Sequence, residues 1–255
     1  MAIQNLTLLN QKVVQYNNPE FIKSDPISIP HQFTQKEDIE ISGFLTAILS
    51  WGRRTAIIKS AKQLMMLMDN SPYNFLIDSS DKEFNRFEKF VYRTFNSDDC
   101  IFLLTALRNI YLHSGGLETI ANDAFSINSS IFDVIVGLRN AINQTPHLVR
   151  SEKHLANPCT GSAAKRINMY LRWMVRADDK GVDFGIWKEI PQSYLMCPLD
   201  IHSGNVARKL GILTRKQNDW KAVEELTAQL CTFDPDDPIK YDFALFGMGV
   251  FEGLS

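Results

Sequence analysis

Apolar residues recur every three or four positions along almost the whole chain, and nowhere do they alternate convincingly with period two. That spacing marks helices with a buried face, and the missing alternation leaves nothing from which to build a sheet. In EDIEISGFLTAILSW, Ile41, Phe44, Leu45, Ile48 and Leu49 make one stripe. Gly52 is a stop, Thr55 opens the next helix, and Ile58, Ala61, Leu64, Met65 and Met68 share its face. Ser71 before Pro72 reads as a cap with a first-turn proline. Asp98 or Asp99 caps the helix carrying Ile101, Leu104, Leu107 and Ile110, and Ser129 or Ser130 caps IFDVIVGLRNAI. SAAKRINMYLRWMV, DIHSGNVARKLGI, DWKAVEELTAQLC and PIKYDFALFGMGV complete the series. In the last of these and just beyond it, Tyr241, Phe243, Phe246 and Phe251 read as core, with Gly247 and Gly249 leaving room for a close approach. Two stretches break the pattern: 17–35, polar and rich in proline, and 177–199, rich in turn residues. The expected fold is all-α.

With 255 residues, 45% hydrophobic and 22% charged, the chain has a globular composition and enough length for one or two domains. Disordered, collagen-like and disulfide-scaffold classes are excluded. No window approaches the ~18 consecutive apolar residues of a membrane span. The start, MAIQNLTLLNQKVV, lacks the features of a secretory signal, so a cytoplasmic location and no membrane partner are expected. Cys100, Cys159, Cys197 and Cys231 form no CxxC and read as reduced thiols. The five histidines have no metal-ligand spacing, and no phosphate-binding, dinucleotide or nucleophile-elbow motif occurs. Neither a metal nor another cofactor is expected.

The net charge of −2 hides an asymmetry. Residues 51–68 sum to +4, 150–176 to +5 and 200–216 to +3, leaving −14 for the rest. If the three segments converge, they make a basic face suited to a phosphate backbone; otherwise each is a solvated helix face.

The most informative stretch is CPLDIHSGNVARKLGIL, residues 197–213. Asp200 sits where a helix cap is expected, and a helix start also favours a fixed negative charge. Such a carboxylate can stabilise positive charge developing on a sugar ring. The segment resembles the catalytic-aspartate segment of the helix-hairpin-helix DNA glycosylases, the endonuclease III superfamily. By position the resemblance assigns Asp200 as the catalytic carboxylate, His202 as the histidine after it, and Arg208 to the arginine-bearing helix. GFLTAILSWGRRTAIIKSAKQL, residues 43–64, resembles the early helix-turn-helix of that superfamily. There Trp51, Gly52, Arg53 and Arg54 occupy the turn that faces DNA, the arginines suited to phosphates or an orphaned base and Trp51 to stacking. NPCTGSAAKRINMYLRWMVR, residues 157–176, resembles the second half of the hairpin. The resemblance puts Lys165 near the Schiff-base lysine and the turn at Gly161 and Ser162, followed by Arg166, against a phosphate.

The departures are specific. The hairpin holds one glycine, Gly161, where two are usual, and Lys165 stands 35 residues before Asp200, a wide spacing. That spacing is nearer the archaeal 8-oxoguanine glycosylase branch, so the chain reads as a divergent bacterial family within the superfamily, and an oxidised purine is the favoured substrate. The C-terminal four-cysteine cluster of some relatives is absent, so no iron–sulfur cluster is implied. The resemblance implies two helical lobes, 36–160 and 1–35 with 166–255, and a hairpin and cleft at their junction, about 155–170. It implies base-excision repair of double-stranded DNA containing a damaged base, with or without a lyase step. The alternatives are a non-enzymatic DNA- or RNA-binding protein of the same fold and a helical protein without a nucleic-acid role.

Overall fold

The computed structural model describes residues 2–254. Among these the fold is all-α, with two isolated bridges, Tyr92 with Phe95 and Ser162 with Asp219. The α-helices are α1 (Ala2–Tyr16), α2 (Pro19–Ser24), α3 (Lys36–Leu49), α4 (Arg54–Leu67), α5 (Pro72–Asp78), α6 (Ser97–His113), α7 (Leu117–Asn128), α8 (Ile131–Asn143), α9 (Lys165–Val175), α10 (Ile201–Lys209), α11 (Trp220–Cys231) and α12 (Tyr241–Phe251). Short 3₁₀ turns join several of them.

The chain divides into two compact units: Ser24–Ala156, and the segment up to Lys23 together with the chain from Asn157 onward. The contiguous unit begins at 24 rather than the expected 36 because the 3₁₀ turns Pro26–Ser28 and Pro30–Gln32 pack on α3. The hairpin residues belong to the other unit: Trp220 N donates to Gly161 O at 3.0 Å, beside the Ser162–Asp219 bridge.

In the contiguous unit α3 is buried on every side from Asp38 to Leu49, so its polar groups must be satisfied internally. Asp38 Oδ1 accepts from Tyr73 N at 2.8 Å, and Tyr111 Oη donates to Glu40 Oε2 at 2.6 Å. Helices α4 and α5 pack on α3, α6 packs on α5 and α8, and α7 packs on α8. The buried face of α4 is Ile57, Ala61, Leu64 and Met65, continued by Met68; Ile57 takes the place expected of Ile58. Helix α6 starts earlier than expected, with Asn96 as its cap and Asp99 on its third residue closing a capping box. Helix α7 escapes the pattern because only Leu117 and Ala121 on it are fully buried.

In the other unit α12 is the central helix, flanked by α1 and α10. The ring of Tyr16 lies where a Cβ on Gly247 would stand, so only glycine lets the two helices approach there. Phe21 meets Phe243 edge-on at 5.3 Å. Tyr241 and Phe243 are buried as expected, but Phe251 is half exposed, stacked on Tyr16 at the end of the helix. Residues 177–199 form no regular element beyond the turn Gln192–Tyr194, yet they bury Val182, Trp187, Ile190 and Leu195. This strap is tied to the end of α9 by Phe184 N to Trp173 O at 2.8 Å and Trp187 N to Met174 O at 2.9 Å.

Candidate functional site

The hairpin is a tight backbone device. The Asn157 side chain accepts from Cys159 N, the 3₁₀ turn Pro158–Thr160 follows, and Gly161 closes it at φ +88. Ser162 Oγ then accepts from Ala164 N at 3.2 Å. Ala164 caps α9 in the left-handed region at φ 47, ψ 32. That conformation costs a non-glycine residue about 1 kcal/mol. The device makes Lys165 the first residue of α9.

Asp200 is the cap of α10. Its Oδ1 accepts from Ser203 N at 2.9 Å, and Asp200 N donates to Ser203 Oγ at 3.0 Å, a reciprocal capping box. The other oxygen, Oδ2, stands 3.6 Å from Lys165 Nζ. The two side chains are 23% and 27% exposed, so the pair is neither sealed in the core nor free in solvent. At 3.6 Å the contact is longer than an N–H···O hydrogen bond and attracts without locking the amine. The Asp200 carbonyl is braced as well: Asn218 Nδ2 donates to it at 2.9 Å, and Arg208 Nη2 donates to Asn218 Oδ1 at 2.5 Å. Arg208 Nε donates to Arg215 O at 2.8 Å. Arg208, which the resemblance places in the arginine-bearing helix, therefore supports the loop that holds Asp200.

Beneath this pair lies a buried ion chain that sequence reasoning did not single out. Arg172 Nη1 donates to Asp242 Oδ2, and Arg172 Nε donates to Asp183 Oδ1 at 3.1 Å. Arg176 Nη1 donates to Asp183 Oδ2 at 3.0 Å, and its Nε and Nη2 grip Asp237 at 2.9 and 2.8 Å. Burial raises Asp242 to about 6, with Arg172 and Lys165 pulling it down and Asp200 and Asp183 pushing it up. Asp242 carried a faint signal, as the lone carboxylate in the apolar run YDFALFGMGVF. Arg172 and Arg176 contribute to the formal +5 of residues 150–176 but face inward, so the expected basic face is thinner than the count implied.

The other expected residues divide between the units. Gly161, Ser162, Arg166, His202 and Arg208 accompany Lys165 and Asp200 in one unit. Arg166 is half-buried, and burial lowers its guanidinium to about 10. His202 is exposed on α10, with its backbone against Gly249 of α12. Trp51, Arg53 and Arg54 lie in the contiguous unit. The Trp51 ring stacks on His154 at 5.7 Å and meets Tyr92 edge-on at 5.0 Å, and its carbonyl accepts from Tyr92 Oη. Arg53 is the exposed cap residue of α4, with no side-chain cap bond. Arg93 reaches over this turn, where its guanidinium occupies the place of a Cβ on Gly52. Nothing in its local sequence marks it.

Among the described residues all four cysteines are free, and no cluster of histidine, cysteine, aspartate and glutamate could hold a metal ion. No described helix is long and apolar enough to cross a membrane. A family model described as a protein of unknown function (DUF2400) matches residues 25–251. No curated protein and no solved structure matches the chain.

Proposed function

We propose, for a chain that belongs to DUF2400, the role of a DNA glycosylase acting on a damaged base rotated out of the duplex. The observation that supports this reading is the amine–carboxylate pair. Two residues 35 positions apart, each at the start of a helix, bring Lys165 Nζ to 3.6 Å from Asp200 Oδ2 while both stay reachable from solvent.

In this reading the C1′–N bond breaks and its electron pair leaves with the base. The Asp200 carboxylate, fixed by its capping box, stabilises the positive charge developing on the sugar. Lys165, having lost a proton, gives its lone pair to C1′ and forms a C–N bond. Asp200 Oδ2, 3.6 Å from Nζ, accepts that proton once the gap closes to hydrogen-bond range, and opening of the sugar ring leaves an imine from which a lyase step can proceed. In one unit the hairpin around Gly161 and Ser162, with Arg166 and His202, serves phosphates; in the contiguous unit the turn Arg53–Arg54 does so, with Trp51 next to it in the chain. An oxidised purine is the favoured lesion, on the likeness of spacing to the archaeal branch.

Borohydride trapping on duplexes carrying different damaged bases tests the reading. The expected result is a covalent adduct with at least one lesion, lost in Lys165→Gln and strongly reduced in Asp200→Asn. The capping box gives Asp200 a structural duty of its own, which suits a non-enzymatic binder. If no lesion yields an adduct or a released base, yet duplex binding is salt-dependent, the binder replaces the enzyme.

A further inference from the structure

We propose that Arg93, laid over Gly52, joins Arg53 in a phosphate-binding site at the Trp51–Arg54 turn of the contiguous unit. The inference rests on the nucleic-acid reading above only for the source of that phosphate, a phosphodiester of the duplex. Arg93 is the first tip residue of a tight turn closed by Tyr92 N to Phe95 O at 2.8 Å and Phe95 N to Tyr92 O at 2.9 Å. Its φ is +56, in the left-handed region, where glycine is usual at such a position. An arginine there is strained, and strain of this kind persists only where the surroundings over-determine it.

The surroundings do so. Tyr92 is buried, and its Oη donates to Trp51 O at 2.5 Å. The Trp51 ring is itself fixed against His154 and the Tyr92 ring. The second tip residue is braced by Arg150, whose Nη2 donates to Thr94 O at 3.4 Å and whose Nη1 donates to Asn96 Oδ1 at 3.0 Å. Held in this way, the turn sends the Arg93 guanidinium to the place of a Cβ on Gly52, and Tyr92 Oη lies 3.3 Å from that same point. Burial raises the pKa of the Tyr92 hydroxyl, while the charge of Arg93 and a hydrogen bond from it work the other way. Gly52, at φ +100, is thus required twice, by its backbone and by the cation seated on it.

What the strain secures is not an ion pair. Arg93 and Arg53 are both exposed, and neither pairs with a carboxylate among the described residues. Arg150, by contrast, has its charge matched by Asp99. One glycine therefore carries two unneutralised cations, Arg53 next to it in the chain and Arg93 over it in space. A guanidinium offers a planar fork of N–H donors, which matches the oxygens of a phosphate.

Arg93→Gln is expected to weaken binding to duplex DNA several-fold and to lower the salt slope by about 1. Arg93→Lys keeps the charge but loses the fork, and should recover only part of that loss. Unchanged affinity in Arg93→Gln, or full recovery in Arg93→Lys, would overturn the proposal. A titration of the wild type with inorganic pyrophosphate, followed by NMR at the side-chain Nε–H groups of Arg93 and Arg53, tests the site without DNA. Both signals are expected to shift together and saturate, and the shift at Arg53 to shrink in Arg93→Gln. Signals that stay in place would overturn the site. If pyrophosphate binds and no duplex does, the nucleic-acid reading fails and the phosphate site stands.

Discussion

Asp99 and Asp200 stand at the starts of α6 and α10, one in each unit, and differ in what their partners leave of the carboxylate. Asp99 is 1% exposed and saturated. Ser151 Oγ donates to it at 2.6 Å, Arg150 donates twice at 3.2 Å, Asn96 N donates at 3.0 Å and His154 Nε2 lies at 3.1 Å. Burial works to raise its pKa, but the Ser151 and Asn96 bonds and the charges of His154 and Arg150 prevail and lower it. Asp200 commits one oxygen to its cap and turns the other to a lysine held too far away for a hydrogen bond. A saturated carboxylate acts as a strut, whereas a half-satisfied one keeps a lone pair for chemistry.

The largest effect expected from this contrast is catalytic. Lys165→Gln should abolish the trapped adduct while shifting the unfolding free energy by no more than about 0.5 kcal/mol, since a partly exposed pair contributes little to stability. A Lys165→Gln protein that melted early would place this pair with the struts. Next in size, Asp99→Ala should cost about 3–5 kcal/mol in denaturant unfolding, because it leaves buried donors without their acceptor. Asp200→Asn should cost about 1 kcal/mol or less, asparagine being an effective cap. Equal losses in the two variants would erase the distinction.

The pH dependence has opposite signs at two sites. Asp99 is depressed, so its contribution is present above the unfolded carboxylate value of ~3.9 and is lost as pH falls through its lower folded value. Asp99→Asn should remove that part of the acid limb of a stability–pH curve. Asp242 is raised, so the folded state binds the extra proton between ~3.9 and about 6, and stability falls as pH rises across that window. Asp242→Asn should flatten that fall. The smallest expected effect is at the turn in the contiguous unit. Arg53→Gln and Arg54→Gln should each weaken duplex binding a few-fold and reduce the salt slope by about 1, read by titration at several salt concentrations.

The all-α class was legible because burial of one helix face leaves a three-and-four spacing, as in α3 and α4. Helices α1 and α7 were not, because Leu9 alone is fully buried on the described side chains of α1, and only Leu117 and Ala121 are on α7. Lys165 and Asp200 were named by the resemblance of two local motifs, and Asp200 also by its place as a helix cap. The 3.6 Å between them could not be read, because it depends on a left-handed alanine and on a loop braced by Arg208 and Asn218. Asp242 and Arg172 were hidden for a related reason: an ion pair between α9 and α12 spans 70 residues and leaves no periodic trace. Charge counting failed where arginines turn inward, because a sum over sequence is blind to burial.

Gly249 gives α12 a close hold on the start of α10. A methyl group added there would come within 3.0 Å of His202 Cβ and 3.2 Å of its carbonyl. Two helices that meet backbone to backbone behave like a hinge with no washer, and one carbon inserted between them would act as a shim. Gly249→Ala would force the first turn of α10 to give by a few tenths of an ångström, so the position of the cap that holds Asp200 is set in part by the absence of one carbon on the neighbouring helix.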